Sequence, residues 1–274
     1  MHTLKAFITD LDESFAMPSI YLQLRKLMDN ATTPIGEFEK LVESDARLAT
    51  GTIRFANSAF FDFDRKTDNL YEAINLMGIG QLHDFLFSCL CLRVFCNRPE
   101  LEFNFDDFWC EQLKRGIAAR SIAKFCRLPA SNRFFTLGLL LEIGHAALFA
   151  KTPGLITKSL QESQQLNQPI RMIERKYIGF DYCELGSALL QRWRSPDPFP
   201  QVIEHYLKPE NASISCRKET DVAHLAHHLC ASADNSVQVN SLLKNHYEQV
   251  FLKNKILKDI DLHLEETYTL LHFN

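Results

Sequence analysis

Leu137–Leu148 reads LGLLLEIGHAAL, two apolar runs that meet at Glu142, with His145 three positions further on. Apolar residues occupy every face of the helical period here, so the stretch predicts one helix, Phe134–Ala150, packed on all sides. A carboxylate set among Leu139, Leu140, Leu141 and Ile143 cannot stay ionised and unpaired without a large free-energy cost. It has to face a cleft, meet a cation such as His145 or Arg115, or hold a proton. A helix buried all round also needs other helices to bury it.

The rest of the chain supplies them, with no convincing run of alternating strand pattern. Met17–Asn30 carries Ile20, Leu24, Leu27 and Met28 on one face, Thr33-Pro34 opens a second helix, and Ser44-Asp45 caps a third that ends at Asn57-Ser58. Tyr71–Met77 leads through Gly78 and Gly80 into Gln81–Phe95, again apolar nearly all round and so expected to be central. After a polar loop near Asn97–Glu102, Asp106 or Asp107 is the expected cap of a helix reaching Phe125. Helices at Thr152–Leu166, Ile170–Tyr177, Asp181–Trp193, Pro200–Leu207, Glu219–Ser232 and Leu242–His272 follow. The expectation is an all-α, two-lobed bundle: residues 1–105 as an N-terminal lobe, 106–234 as a second lobe and 235–274 as a C-terminal extension.

At 274 residues, 46% hydrophobic and 23% charged, the chain has the composition of a globular protein. Its net charge of −4 argues against a broad nucleic-acid surface. Arg171, Arg175 and Lys176 read as a solvated helix face. The eight cysteines form no C-x-x-C pair and sit in apolar helical patterns, which suits a reducing cytoplasm. The first residues, MHTLKAFITDLDES, hold acids where a signal peptide has its apolar core. The apolar segment Phe134–Ala150 is short for a membrane span. No membrane association is expected.

No phosphate-cradling G-x-x-x-x-G-K-[ST], no G-x-S-x-G and no H-E-x-x-H is present. Asp221, His224 and His228 share a helical face, and imidazoles four apart can chelate a metal. Such a cluster is more often boundary polarity. The Phe60-Phe61-Asp62-Phe63 run is expected to join the two lobes, since exposed aromatic clusters are rare in monomers.

Several stretches resemble one family. Ser44-Asp45-Ala46-Arg47-Leu48 followed by Arg54-Phe55-Ala56-Asn57-Ser58-Ala59-Phe60-Phe61 is similar to the signature of HDOD domains, the HD-related output domains of bacterial signalling. Met17-Pro18, the Ala73-Ile74-(x)2-Met77-Gly78 step, Phe108-Trp109 and Leu185-Gly186-(x)2-Leu189-Leu190-(x)2-Trp193 fit the same pattern, so that the resemblance runs from about Phe15 to Ala231. It implies an all-helical relative of the HD phosphohydrolases and HD-GYP phosphodiesterases. Those relatives use a His, a His-Asp doublet and later His and Asp residues to hold metals that generate hydroxide.

Carried onto this sequence, the resemblance puts the first His at or near Glu111 and the doublet at Leu141-Glu142. Further His positions fall near His205 to Leu207, and a late Asp falls at His227. Leu141 has no lone pair, and the longer arm of Glu142 displaces the carboxylate. These positions therefore imply a degenerate site that holds no metal and no cofactor, though Glu111, Glu142, His205 and His227, joined by His224, sketch a rebuilt one.

Three functions are open. The first is a non-catalytic signalling module that binds a protein partner in trans, since no receiver, kinase or diguanylate cyclase segment is legible. The second is a divergent metal-dependent phosphohydrolase. The third is nucleotide binding without turnover, in a cleft formed by Arg115, Arg120, His145 and His224.

Overall fold

The computed structural model describes residues 3–58, 60–61, 65–96, 104–231 and 246–271, and it is all-α, with no strand among these residues. Polar caps set most helix starts. α1 (Leu4–Ser14), which the sequence pattern does not announce, begins where the Thr3 hydroxyl accepts the Ala6 amide. α2 (Ser19–Met28) and α3 (Ile35–Glu43) follow Pro18 and Pro34. α4 (Ala46–Asn57) is capped by Asp45, which accepts from Arg47 and Leu48. α5 (Leu70–Met77) stops at Gly78, whose φ of +79° is the left-handed region that side chains avoid. α6 (Ile79–Cys96) is buried nearly all round beyond its first turn, as its pattern predicts.

α7 (Phe105–Phe125) starts at Asn104, not at either aspartate. The Asn104 side chain accepts the amides of both Asp106 and Asp107, leaving the two acids in the first turn at the positive end of the helix dipole. Then comes the main departure from expectation. The predicted helix Phe134–Ala150 is two, α8 (Arg133–Leu139) and α9 (Ile143–Lys151), separated by a turn at Leu140–Glu142. α10 (Pro153–Leu166), α11 (Ile170–Tyr177), α12 (Tyr182–Arg192) and α13 (Phe199–His205) follow. Two short 3-10 turns precede α14 (Arg217–Ala231), and α15 (His246–Leu271) closes the described chain.

α7 is the hub, packed by α8, α14, α15 and α6, while α12 packs on α9 and α13. Contacts also run across the boundary expected at residue 105. Phe7 of α1 meets Phe180 edge-on at 5.3 Å, the Trp193 indole donates to the Phe15 carbonyl, and Tyr21 donates to the Arg194 carbonyl. Phe60 and Phe61 are buried. Phe60 packs edge-on against Phe135 of α8 at 4.9 Å, with the Arg120 guanidinium over its face, and so links the two halves. Asp62 and Phe63 lie outside the described residues.

Arg171 and Arg175 are not simply a solvated face. Both donate to Asp181, which is fully buried and would otherwise be an uncompensated charge, though Arg175 stays half exposed; Lys176 stays outside and pairs with Glu162. Arg133–Lys151 is long and apolar enough to cross a membrane by composition, but 78% of its apolar window is buried in the protein interior. Cys89, Cys91, Cys110, Cys126, Cys183, Cys216 and Cys230 are free thiols.

Candidate functional site at Glu142

The turn between α8 and α9 exists because the backbone comes very close to its neighbours on either side of it. A Cβ on Gly138 would lie 2.5 Å from the Arg115 carbonyl oxygen, and one on Gly144 would lie 1.9 Å from that of Tyr182. α8 is thus pressed on α7 and α9 on α12, along different directions. At the end of α8 the Leu140 amide is shared between the Thr136 and Leu137 carbonyls and the Leu141 amide reaches only three residues back to Gly138, and Glu142 becomes the first residue outside α9, its carbonyl accepting from His145 and Ala146.

At this turn Leu141 points into the core with no exposure, while the Glu142 side chain is 14% exposed in a polar pocket. Arg115 Nη2 lies 3.1 Å from Glu142 Oε1, His227 Nδ1 3.5 Å from the same oxygen, and His145 Nδ1 3.8 Å from Oε2. Gln112 Nε2 donates to Oε2 at 3.3 Å. His145 stacks on Tyr182 at 3.7 Å and donates through Nε2 to Glu174, which is fully buried and also accepts the Tyr182 amide. Tyr182 and Tyr206 share a hydroxyl hydrogen bond of 2.8 Å, and the Tyr206 carbonyl takes Nδ1 of His224.

The sequence-predicted residues therefore divide. Arg115, His145 and His227 gather at Glu142. Glu111 does not: its carboxylate is half exposed and pairs with Lys114. Arg120 turns away to the Phe60 carbonyl and Asn132. His205 ends α13, half-buried, and makes none of the contacts to Glu142. His224 lies one hydrogen bond beyond the cluster, on Tyr206. Sequence reading missed Gln112, Glu174 and Tyr182, whereas Tyr206 lies within the His205–Leu207 stretch that the resemblance marks. For Gln112 the available signal was its spacing of three from Arg115, which places both on one face of α7.

Electrostatics follow from these neighbours. Burial works to raise the Glu142 pKa, but His145, Arg115 and His227 outweigh it and hold the group at about 2. Burial works to lower His145, but Glu142 and Glu174 raise it to about 9. Burial drives His227 down to about 4, and the nearby positive charge of Arg115 opposes any help from Glu142. Burial also pushes the Tyr182 and Tyr206 phenols well up, so both stay neutral.

A pH optimum of stability results. The raised pKa of His145 adds stability that is complete below its ordinary value of 6.5 and is lost as pH rises through about 9. The lowered pKa of Glu142 adds stability that is complete above 4.5 and is lost as pH falls toward about 2. His227, buried neutral, withdraws stability as pH falls from 6.5 through about 4. The urea midpoint should be highest near pH 6.5 and fall on both sides, the His145 part by roughly 3 kcal/mol at most. In His145→Gln the alkaline fall attributable to this residue should vanish while the acid fall persists. An alkaline limb identical in the native and variant proteins would show that His145 is not the group responsible.

The family model for the HDOD domain matches residues 15–209, well over half of the chain. The chain belongs to the HDOD domain family. Its helical fold is shared with an HDOD domain protein of unknown function from Geobacter sulfurreducens, with a TM-score of 0.72 at 17% identity, covering 99% of this chain and 98% of that one. A protein of Shewanella amazonensis SB2B, provisionally named a phosphohydrolase, gives 0.69 at 18% identity over 97% and 94%. A protein of Marinobacter aquaeolei VT8, provisionally named a signal transduction protein, gives 0.69 at 15% over 96% and 60%. In sequence, an uncharacterised Treponema pallidum protein is 24% identical over 207 residues, 74% of this chain. The match spans only 39% of that relative's length. The HDOD fold here thus carries, at the turn before α9, a carboxylate already engaged by a cation and its neighbours.

Proposed function

We propose that this HDOD chain is a non-catalytic signalling module, a rigid cytoplasmic scaffold that binds a protein partner and does not transform a substrate. The observation that carries the reading is the Arg115 guanidinium 3.1 Å from the Glu142 carboxylate, beside a fully buried Leu141. The metal that the HD relatives hold does not fit these residues. A divalent cation beside Glu142 would meet a fixed positive charge at close range, and the other groups facing the carboxylate include the donor amide of Gln112. Tyr206, in the region where the resemblance expects a His pair, is a neutral phenol committed to Tyr182. No group of three or more His, Cys, Asp or Glu side chains converges as a ligand set among the described residues. These residues therefore supply no metal-activated hydroxide.

The test is enzymatic and elemental together. The purified protein, supplied with Mn²⁺, Mg²⁺ or Fe²⁺, should hydrolyse neither phosphomonoesters nor cyclic dinucleotides above background. Uncatalysed phosphate ester hydrolysis is so slow that turnover demands many kcal/mol of transition-state stabilisation. Leu141→His with Glu142→Asp should also remain inactive, because Arg115 still occupies the carboxylate's side. Metal-dependent turnover by the unmodified protein, lost in Glu142→Ala, would establish the phosphohydrolase reading in place of this one.

A further inference from the structure

A cleft of about 480 Å³ opens away from Glu142, between the end of α2, the start of α6 and the turn before α8. Its volume is that of a small-molecule site. Arg25, His83, Asp84, Asn132 and Arg133 supply its polar walls, and Met28 and Pro196 are among its apolar ones. The charges do not balance. Arg25, half-buried, makes no ion pair or side-chain hydrogen bond among the described residues. Arg133 donates through Nη2 to the Asp197 carbonyl and lies over the Phe199 ring at 5.0 Å, while its Nε, 4.0 Å from Asp84 Oδ2, has no hydrogen-bond partner. Asp84 is already shared with His83, which is in turn held by Tyr21.

Two guanidinium groups thus face one carboxylate in a chain whose net charge is −4. An excess of partly buried positive charge is costly without an anion to meet it. The wall is also strained. Ala130 holds φ +50°, a left-handed conformation that a residue with a Cβ adopts at a cost and that is concentrated at ligand sites. Gly80 and Gln81, in the first turn of α6, line the same space, where a helix presents backbone N–H groups and a positive dipole end.

We propose that this cleft binds a small phosphate ester of about mononucleotide size, its phosphate between Arg25 and Arg133 and its organic part against Met28 and Pro196. Guanidinium forks and a helix start together suit phosphate geometry. The site is separate from Glu142 and does not depend on how that cluster is read.

Thermal shift and isothermal titration test it with AMP, ribose 5-phosphate, inorganic phosphate, succinate and adenosine as probes. AMP and ribose 5-phosphate should raise the melting temperature, inorganic phosphate less, and adenosine and succinate not at all. The AMP affinity should weaken with salt. Arg25→Gln, which breaks no internal contact, should keep the native circular dichroism and weaken AMP binding by about tenfold or more, as losing one charged hydrogen bond predicts. Arg25→Lys should recover part of the affinity. Binding of adenosine or succinate as strong as that of AMP, no binding by any phosphate probe, or an Arg25→Gln protein that binds AMP as tightly as the native one would each overturn the proposal. So would AMP binding that survives Arg25→Gln but is lost in a folded Glu142→Gln protein, which would place the ligand at the other site.

Discussion

Gly144→Ala should yield no cooperatively folded protein at room temperature. The added methyl would sit 1.9 Å from the Tyr182 carbonyl oxygen, 2.8 Å from its carbon and 2.9 Å from the Gly186 nitrogen. All three are backbone atoms, so no side-chain rotation relieves the overlap. Relief requires α9 and α12 to separate, and that separation pulls His145 off Tyr182 and off the Glu174 that also holds the Tyr182 amide. Ordinary overpacking costs about 1–3 kcal/mol. A backbone collision that also dismantles a buried polar cluster belongs beyond about 4 kcal/mol, a large share of the roughly 5–15 kcal/mol that holds a domain folded. Gly80→Ala is the control. Gly80 is exposed, helical and has nothing within 4 Å of an added Cβ, so alanine there should stabilise by about 0.5–1 kcal/mol. Urea denaturation followed by circular dichroism reads both. A Gly144→Ala protein with a native midpoint would show that α9 and α12 do not meet in this way.

The second large effect lies in the Arg115–Glu142 pair. Glu142→Leu leaves the Arg115 guanidinium buried with Nη2 unpaired, in addition to Nε and Nη1, which already lack partners. Arg115→Met leaves the carboxylate to His145, His227 and Gln112. Breaking a buried pair from one side costs about 3–5 kcal/mol, and the second change should fall at the low end of that range because partners remain. The double variant, with two apolar side chains of similar volume facing each other, should be more stable than either single one. The coupling from the four proteins should be on the order of 2 kcal/mol. Strictly additive losses would mean that the two side chains do not sense each other.

Helix starts were legible where a polar side chain had one plausible job. Asp45 stands before an apolar stripe and caps α4, and Asp181 closes a reciprocal cap with Glu184. The turn at Leu140–Glu142 was not legible, for a specific reason. Hydrophobic phase locates a helix by contrast between faces, and here every face is covered, so no phase slip shows where one axis ends and the next begins. Leucine and glutamate are also good helix formers, so propensity points the wrong way. The signal that remained was the pair of glycines, 138 and 144, on either side.

Within the site, helical geometry explains the hits and misses. Arg120 is five residues beyond Arg115, about 140° round the helix, so both cannot face Glu142. Glu111 and Gln112 stand about 100° apart, and α7 turns the amide inward and the acid out. Glu174 lies between Arg171 and Arg175 in sequence and looks like one more surface charge. Only the fold reveals that its face of α11 is shut against His145 and Tyr182.

The bonds that tie α1 and α2 to the end of α12 have a consequence for the making of the chain. The Phe15 carbonyl and the Trp193 indole are 178 residues apart in sequence. At synthesis rates of about 5–20 residues per second, Phe7 waits roughly 10–35 s for Phe180 and the Phe15 carbonyl as long for Trp193, while the Phe15 ring can meet Phe95 sooner. α1 is therefore among the last elements to dock, and during that interval part of its apolar face stays open on the nascent chain.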